Sequence, residues 1–164
     1  MILPKEHLLK SDFISDFLSE KQFQPAGVDL TLKKVFAFKG MGRIDFDNSE
    51  RKISKAKELQ FDGKGWVKLG QGAYKVSFNE YIKIPQDMMA LVFPRSSLLR
   101  CGAALHTAVW DPGYEGRGEM LLVVHNKNGM MLKRNAKVGQ MVFVKLAEET
   151  KHAYEGMYKG EHRH

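Results

Sequence analysis

The amino-acid sequence predicts an all-β fold, a sandwich or barrel with one or two short helices. Three observations carry that prediction. Short apolar runs alternate with polar residues at the two-residue period of a strand with one covered face. Turn residues (Gly, Pro, Asp and Asn) recur between those runs at short intervals. Only two segments have helical spacing, and both are brief.

Taken in order, the first element lies between His7 and Leu18. Leu8, Leu9, Phe13, Ile14, Phe17 and Leu18 fall near helical spacing there, with Ser11 or Asp12 as a candidate cap, so one short helix is expected. After Pro25 the texture becomes strand-like. Val28, Leu30 and Leu32 alternate with Asp29 and Thr31; Ile44 and Phe46 alternate with Arg43, Asp45 and Asp47. Tyr74, Val76 and Phe78 alternate with Lys75 and Ser77, and Ile82 and Ile84 repeat the pattern. Met89 to Phe93 is a continuous apolar run, and Glu119 to His125 and Met141 to Leu146 read as further strands. Turns are marked at Asp62-Gly63, Gly70 to Gly72, Pro85 to Asp87, Asp111 to Gly116 and Lys127 to Gly129. The second helix is expected at Ser97 to Cys101, capped by Ser96 or Ser97 and ended by Gly102.

A chain of 164 residues, 43% hydrophobic and 27% charged, fits one domain over residues 1–164 and can bury a core of its own. The net charge of +7 favours polyanionic partners: nucleic acid, nucleotides or a membrane surface. The charge is scattered, and its densest run, Arg51, Lys52, Lys55 and Lys57, reads as a solvated loop. One cysteine, Cys101, excludes an intrachain disulfide and suits a reducing, cytoplasmic home; a buried thiol is expected there rather than a nucleophile. No charged-then-apolar leader and no apolar run approaching ~20 residues is present, so neither export nor a membrane span is expected. The six histidines have no finger-like or HExxH spacing, which argues against zinc, and the final Glu161-His162-Arg163-His164 reads as a mobile polar tail.

The residues that could do chemistry cluster between Pro94 and Gly116. Arg95, Ser96 and Ser97 stand at a helix start, where free amides, hydroxyls and a guanidinium fork suit phosphate oxygens; Arg100 lies one turn on. A serine-capped surface helix with two solvated arginines is the structural alternative. Asp111 follows an apolar run and precedes Pro112-Gly113, so it could hold a water as general base, or simply open a β-turn. Tyr114 could stack on a sugar or base. Asp29, between two inward-facing apolar residues, points to the other face, where it could meet magnesium through water or face solvent. Near the end, Tyr158 and Lys159 sit among glycines in a segment that could cover a base and reach phosphate, or be a disordered tail.

The order of these segments resembles the dUTPase and dCTP deaminase superfamily, most closely the archaeal-type trimeric dUTPases, from about Gln24 to Gly160. Gln24-Pro-Ala-Gly-Val-Asp-Leu30, Pro94-Arg-Ser-Ser-Leu98, Asp111-Pro-Gly-Tyr-Glu-Gly116, Gly139-Gln140-Met-Val-Phe-Val-Lys-Leu146 and Tyr158-Lys-Gly160 are similar to its five motifs in turn. The resemblance implies a distorted barrel of jelly-roll type, the β-clip, with residues 150–164 as a mobile arm. It implies magnesium-dependent cleavage of a deoxynucleoside triphosphate to the monophosphate and pyrophosphate by a cytoplasmic homotrimer, with no membrane partner and no stable nucleic-acid binding. In that scheme Asp111 orients and deprotonates water, and Arg95, Ser96, Ser97 and Gln140 bind phosphates. Asp29 holds a magnesium water, and Tyr114 packs on deoxyribose. The segment with Ala104 and His106 reads the base through its main chain. Tyr158 covers the base from an adjacent subunit, with Lys159 on phosphate.

The same superfamily contains dCTP deaminases, and Arg100 matches an arginine they carry. Their catalytic glutamate is expected at Leu121 or Val123, neither acidic, and Glu119 reads as near but out of register. Gly116-Arg117-Gly118 departs from the pattern. The expectation is therefore a dUTP pyrophosphatase. A dCTP deaminase or bifunctional enzyme is the first alternative, and a non-catalytic nucleotide- or nucleic-acid-binding β module is the second.

Overall fold

A computed structural model of the chain describes residues 1–161, which are predominantly strand, and the all-β expectation holds. The chain opens with α1 (Lys5–Leu8), β1 (Ile14–Ser15), a 3₁₀ turn (Glu20–Gln22) and β2 (Phe23–Gln24). The long β3 (Gly27–Lys39) follows, then β4 (Lys55–Leu59), β5 (Trp66–Leu69), β6 (Gly72–Phe78), β7 (Tyr81–Lys83) and β8 (Met88–Pro94). The second helix, α2 (Ser96–Arg100), precedes β9 (Ala103–His106), β10 (Glu115–Gly116), β11 (Glu119–Val124), β12 (Met130–Lys133) and β13 (Lys137–Lys145).

The main sheet runs β8-β13-β3-β6-β11-β9, with β2 and β4 also paired to β3, and it curls into a nearly closed barrel. β3 is its spine. Residues 28–31 pair with β13, residues 32–37 pair with β6, and a register shift between Leu32 and Lys34 lets one strand serve both halves. Val28, Leu30 and Leu32 point to the core at 0% exposure. Asp29 and Thr31, on the opposite face, are buried as well, because the amino-terminal segment and Glu80 cover that side. The expected solvent-facing alternative for Asp29 is thus corrected.

The amino-terminal helix is shorter than the spacing of residues 7–18 suggests. Only Lys5–Leu8 is helical, and its N-cap, Pro4, makes no side-chain cap bond. One uncapped turn is below the length at which helix propagation repays nucleation. Ile14 instead pairs with Ile82 as strand, which buries it at 5% exposure. The Ile44–Phe46 alternation also forms no strand: Arg43 and Lys52 make an isolated bridge, and Ile44 and Phe46 are 83% and 105% exposed. Alternation stabilises a strand only where a packing surface meets it. Conversely, Lys55 and Lys57 belong to β4, a five-residue strand on β3 rather than a loop. Cys101 is exposed, not buried. Among the described residues no helix is long and apolar enough to cross a membrane. His162 and His164 of the expected tail lie outside the described residues.

Candidate active site

The predicted site residues gather at two places in the chain. The first is the turn 111–116. The Tyr114 amide donates to the Asp111 carbonyl at 3.1 Å, closing a β-turn. Reciprocal bonds between this turn and Ile84 (Gly113 amide to Ile84 carbonyl, Ile84 amide to Tyr114 carbonyl, both 2.8 Å) pin it to the end of β7. The Tyr114 ring meets Trp110 edge-on, with centroids 4.9 Å apart. Asp111 itself is exposed, and its carboxylate has no hydrogen-bond partner among the described residues. It opens onto a cleft of about 640 Å³ that is also lined by His106, Trp110, Tyr114, Leu121 and Tyr158.

The floor of that cleft is β11. Leu121 and Glu119 stand two residues apart and so share its face, and both line the cleft. The reading of Glu119 as out of register with Leu121 is corrected: an even separation keeps both side chains on one side. The Glu119 carboxylate is paired with Lys75 Nζ at 2.7 Å. The Gly116-Arg117-Gly118 departure has a local cause. A Cβ on Gly118 would sit 2.3 Å from the Trp110 ring, so glycine is what admits the indole to the cleft wall. Arg117 turns away, donating to the Asn79 carbonyl and the Asp16 carboxylate.

The carboxy-terminal segment lies on this turn. The Tyr154 amide donates to the Pro112 carbonyl at 2.7 Å, the Gly160 amide to the Glu115 carbonyl at 2.6 Å, and the Tyr114 hydroxyl to Glu161 Oε1 at 2.9 Å. Tyr114 is consequently buried, and burial first, then the negative charge of Glu161, pushes its phenol well above the ordinary tyrosine range. It remains a donor at any physiological pH.

The second cluster is built on β3, β13 and the end of β8. Asp29 stands opposite Gln140, and Gln140 opposite Phe93. The fully buried Asp29 carboxylate accepts at Oδ2 from Arg95 Nη1 and, at 3.0 Å, from Gln24 Nε2, and it is ion-paired at 3.2 Å with Lys137 Nζ, which itself donates to the Lys21 carbonyl at 2.8 Å. Gly27 belongs to the same construction, since a Cβ there would come 2.2 Å from the Met141 carbonyl and 3.2 Å from the Gln140 amide. Arg95 is the N-cap of α2 and makes no side-chain cap bond. Ser96 and Ser97 are the first helical residues rather than the cap, and both are exposed, as is Arg100.

Within one chain, then, Asp111, His106, Tyr114 and Tyr158 share a cleft that Arg95, Ser96, Ser97, Arg100, Gln140 and Lys159 do not line, so Tyr158 stands on the cleft of its own chain and not, as expected, on that of an adjacent subunit. Ala104 pairs with Val123 at the neighbouring edge. Reasoning from sequence missed Lys137, whose place two residues before Gly139 was a cation beside a motif and could have been found. It also missed Trp110 as a cleft wall, Lys75, Gln22 and Glu80, which carry no local signal.

A family model described as dCTP deaminase-like matches residues 4–146. A probable deoxyuridine 5'-triphosphate nucleotidohydrolase of Methanosarcina mazei is 51% identical over 143 residues, covering 87% of this chain and 84% of that protein. One from Archaeoglobus fulgidus is 48% identical over 153 residues, covering 93% and 89%. The deoxyuridine 5'-triphosphate nucleotidohydrolase of Methanocaldococcus jannaschii is 44% identical over 146 residues, covering 88% and 92%. Among solved structures, the 2'-deoxycytidine 5'-triphosphate deaminase of Agrobacterium tumefaciens superposes with a TM-score of 0.67 at 21% identity, over 87% of this chain and 47% of that one, so the chain spans about half of its length. A match over nearly the whole strand core, joined to relatives near half identity along most of their length, leaves one conclusion: the chain belongs to the dCTP deaminase-like family.

Proposed function

We propose that this protein hydrolyses dUTP to dUMP and pyrophosphate, with magnesium, as a cytoplasmic homotrimer. The observation that carries the reading is the pair of half-sites in a chain whose relatives are named as dUTP nucleotidohydrolases: an unpartnered carboxylate on an aromatic cleft, and a guanidinium docked on a buried aspartate. A triphosphate needs both. Asp111 takes a proton from water, the water oxygen forms a bond to the α-phosphorus, and the bond from that phosphorus to the bridging oxygen breaks, releasing pyrophosphate. Arg95, with Ser96, Ser97 and Gln140, holds the phosphate oxygens and offsets the charge that moves onto the leaving group. Tyr114 supports the sugar, and Tyr158 and Lys159 close over the base and tail. His106 and Ala104 stand on the strand that meets the base, and Arg100 extends the phosphate side. Separation of the half-sites within one chain supports an oligomer in which a neighbour completes each site.

Asp29 suits a magnesium ion carried by the triphosphate. Its Oδ1 is buried with no hydrogen-bond partner, an orphaned acceptor that a metal-bound water would satisfy. Among the described residues no three His, Cys, Asp or Glu side chains converge, so the donor set fits an ion shared with phosphates, not a protein cage. Bound there, magnesium would neutralise phosphate charge.

A panel of deoxynucleoside triphosphates with magnesium, scored separately for pyrophosphate and ammonia, tests the reading. Pyrophosphate from dUTP is expected, without ammonia from dCTP. Ammonia would make it a deaminase. No turnover, with salt-sensitive oligonucleotide binding, would make it a binding module.

A further inference from the structure

Glu80 is a buried carboxylate that the reaction does not use. It is 1% exposed, lies just beyond the end of β6, and makes no ion pair among the described residues. A buried charge without a counter-ion is costly unless hydrogen bonds replace its water. Here they do. Oε1 accepts from the Gln22 amide at 2.7 Å and from the Thr31 hydroxyl, and Oε2 accepts from the Thr31 main-chain amide at 2.9 Å. All three partners act as donors. The Thr31 hydroxyl itself accepts from Asn79 Nδ2 at 2.9 Å, which leaves its proton for Glu80.

The Gln22 amide is committed with equal completeness. Its oxygen accepts from the Leu18 and Ser19 amides at 2.7 and 3.1 Å, and its nitrogen donates to Glu80 and, at 2.8 Å, to the carbonyl of Asp29. The network therefore grips β3 on both sides of one residue, at the carbonyl of 29 and at the amide of 31. Asp29, so held, presents the oxygen on which Arg95, Lys137 and Gln24 converge.

We infer that Glu80 is a positioning residue for the phosphate grip: through Gln22 and Thr31 it fixes the β3 backbone at Asp29, and through Asp29 it fixes the Arg95 guanidinium. The inference rests on the proposed function, in which Arg95 binds phosphates, and adds what holds Arg95 in place. A network that is fully paired specifies one geometry; with one wrong partner it does not.

Calorimetric titration with dUMP and with a non-hydrolysable imido analogue of dUTP, both with magnesium, tests it. Glu80→Gln keeps the shape but turns an amide hydrogen toward donors. It is expected to weaken the analogue about tenfold, the scale of one hydrogen bond to a charged group, while dUMP changes by less than about twofold. Thr31→Val, which keeps the charge and the volume, provides a second variant should Glu80→Gln fail to fold, with an expected loss of about threefold for the analogue alone. Equal losses for both ligands, or no loss for either, would overturn the inference while wild-type binding leaves the parent function standing. A wild-type protein that binds neither ligand would overturn both.

Discussion

Replacing Asp29 with asparagine removes the charge on which three donors converge and keeps the side chain's shape. Breaking a buried ion pair from one side costs about 3–5 kcal/mol. Two features of this site reduce that figure. Arg95 and Lys137 retain 32% and 36% side-chain exposure, so each regains water when the carboxylate is gone. The asparagine oxygen also still accepts one hydrogen bond. About 2 kcal/mol remains, which for a domain of this size lowers Tm by about 4–8 °C. Melting curves at low and high salt provide the assay. Because Asp29 is fully buried, the difference between wild type and variant is expected to survive added salt. The exposed Arg43–Glu50 pair, 3.8 Å apart, is the control whose contribution salt erases. Arg95→Met and the double variant complete a thermodynamic cycle, with an expected coupling above about 1 kcal/mol. A melting point unmoved by Asp29→Asn, or strictly additive single and double variants, would refute the placement of Asp29 as the anchor of Arg95.

Asp111→Asn is expected to lower turnover of dUTP by at least about 100-fold while the imido analogue binds as before, since general-base removal acts on the transition state. A near-normal rate would remove Asp111 from the role of base. Ending the chain before Tyr158 removes the Tyr114–Glu161 bond and one wall of the cleft but no core strand. Catalysis is expected to fall while Tm shifts by less than about 4 °C, the equivalent of roughly 1 kcal/mol. A truncated enzyme as active as the full chain would show that the segment is dispensable.

Much of the fold was legible because its strands carry their own period. Val28 to Leu32, Tyr74 to Phe78 and Glu119 to Val124 alternate or run apolar as strands should, and each is a strand. Leu8 to Leu18 misled because near-helical spacing and a bent strand segment place apolar residues similarly over short stretches, and pairing of Ile14 with Ile82 won. Ile44 and Phe46 misled for the converse reason: alternation was present and no covering surface arrived.

By itself the sequence determined the strand-rich class, the turn that carries Asp111 and Tyr114, and the presence of Arg95 beside hydroxyls, since these are local matters of period, turn chemistry and residue type. Tertiary structure alone decided that Asp29 is buried against Arg95, Lys137 and Gln24, that the face of β11 carrying Glu119 and Leu121 lines the cleft of Asp111, and that Gln22 and Glu80, 58 positions apart, meet behind β3. The physical reason is that a hydrogen bond or an ion pair across a sheet depends on strand register and curvature. Those are set by the packing of the whole barrel, and no window of neighbouring residues contains them.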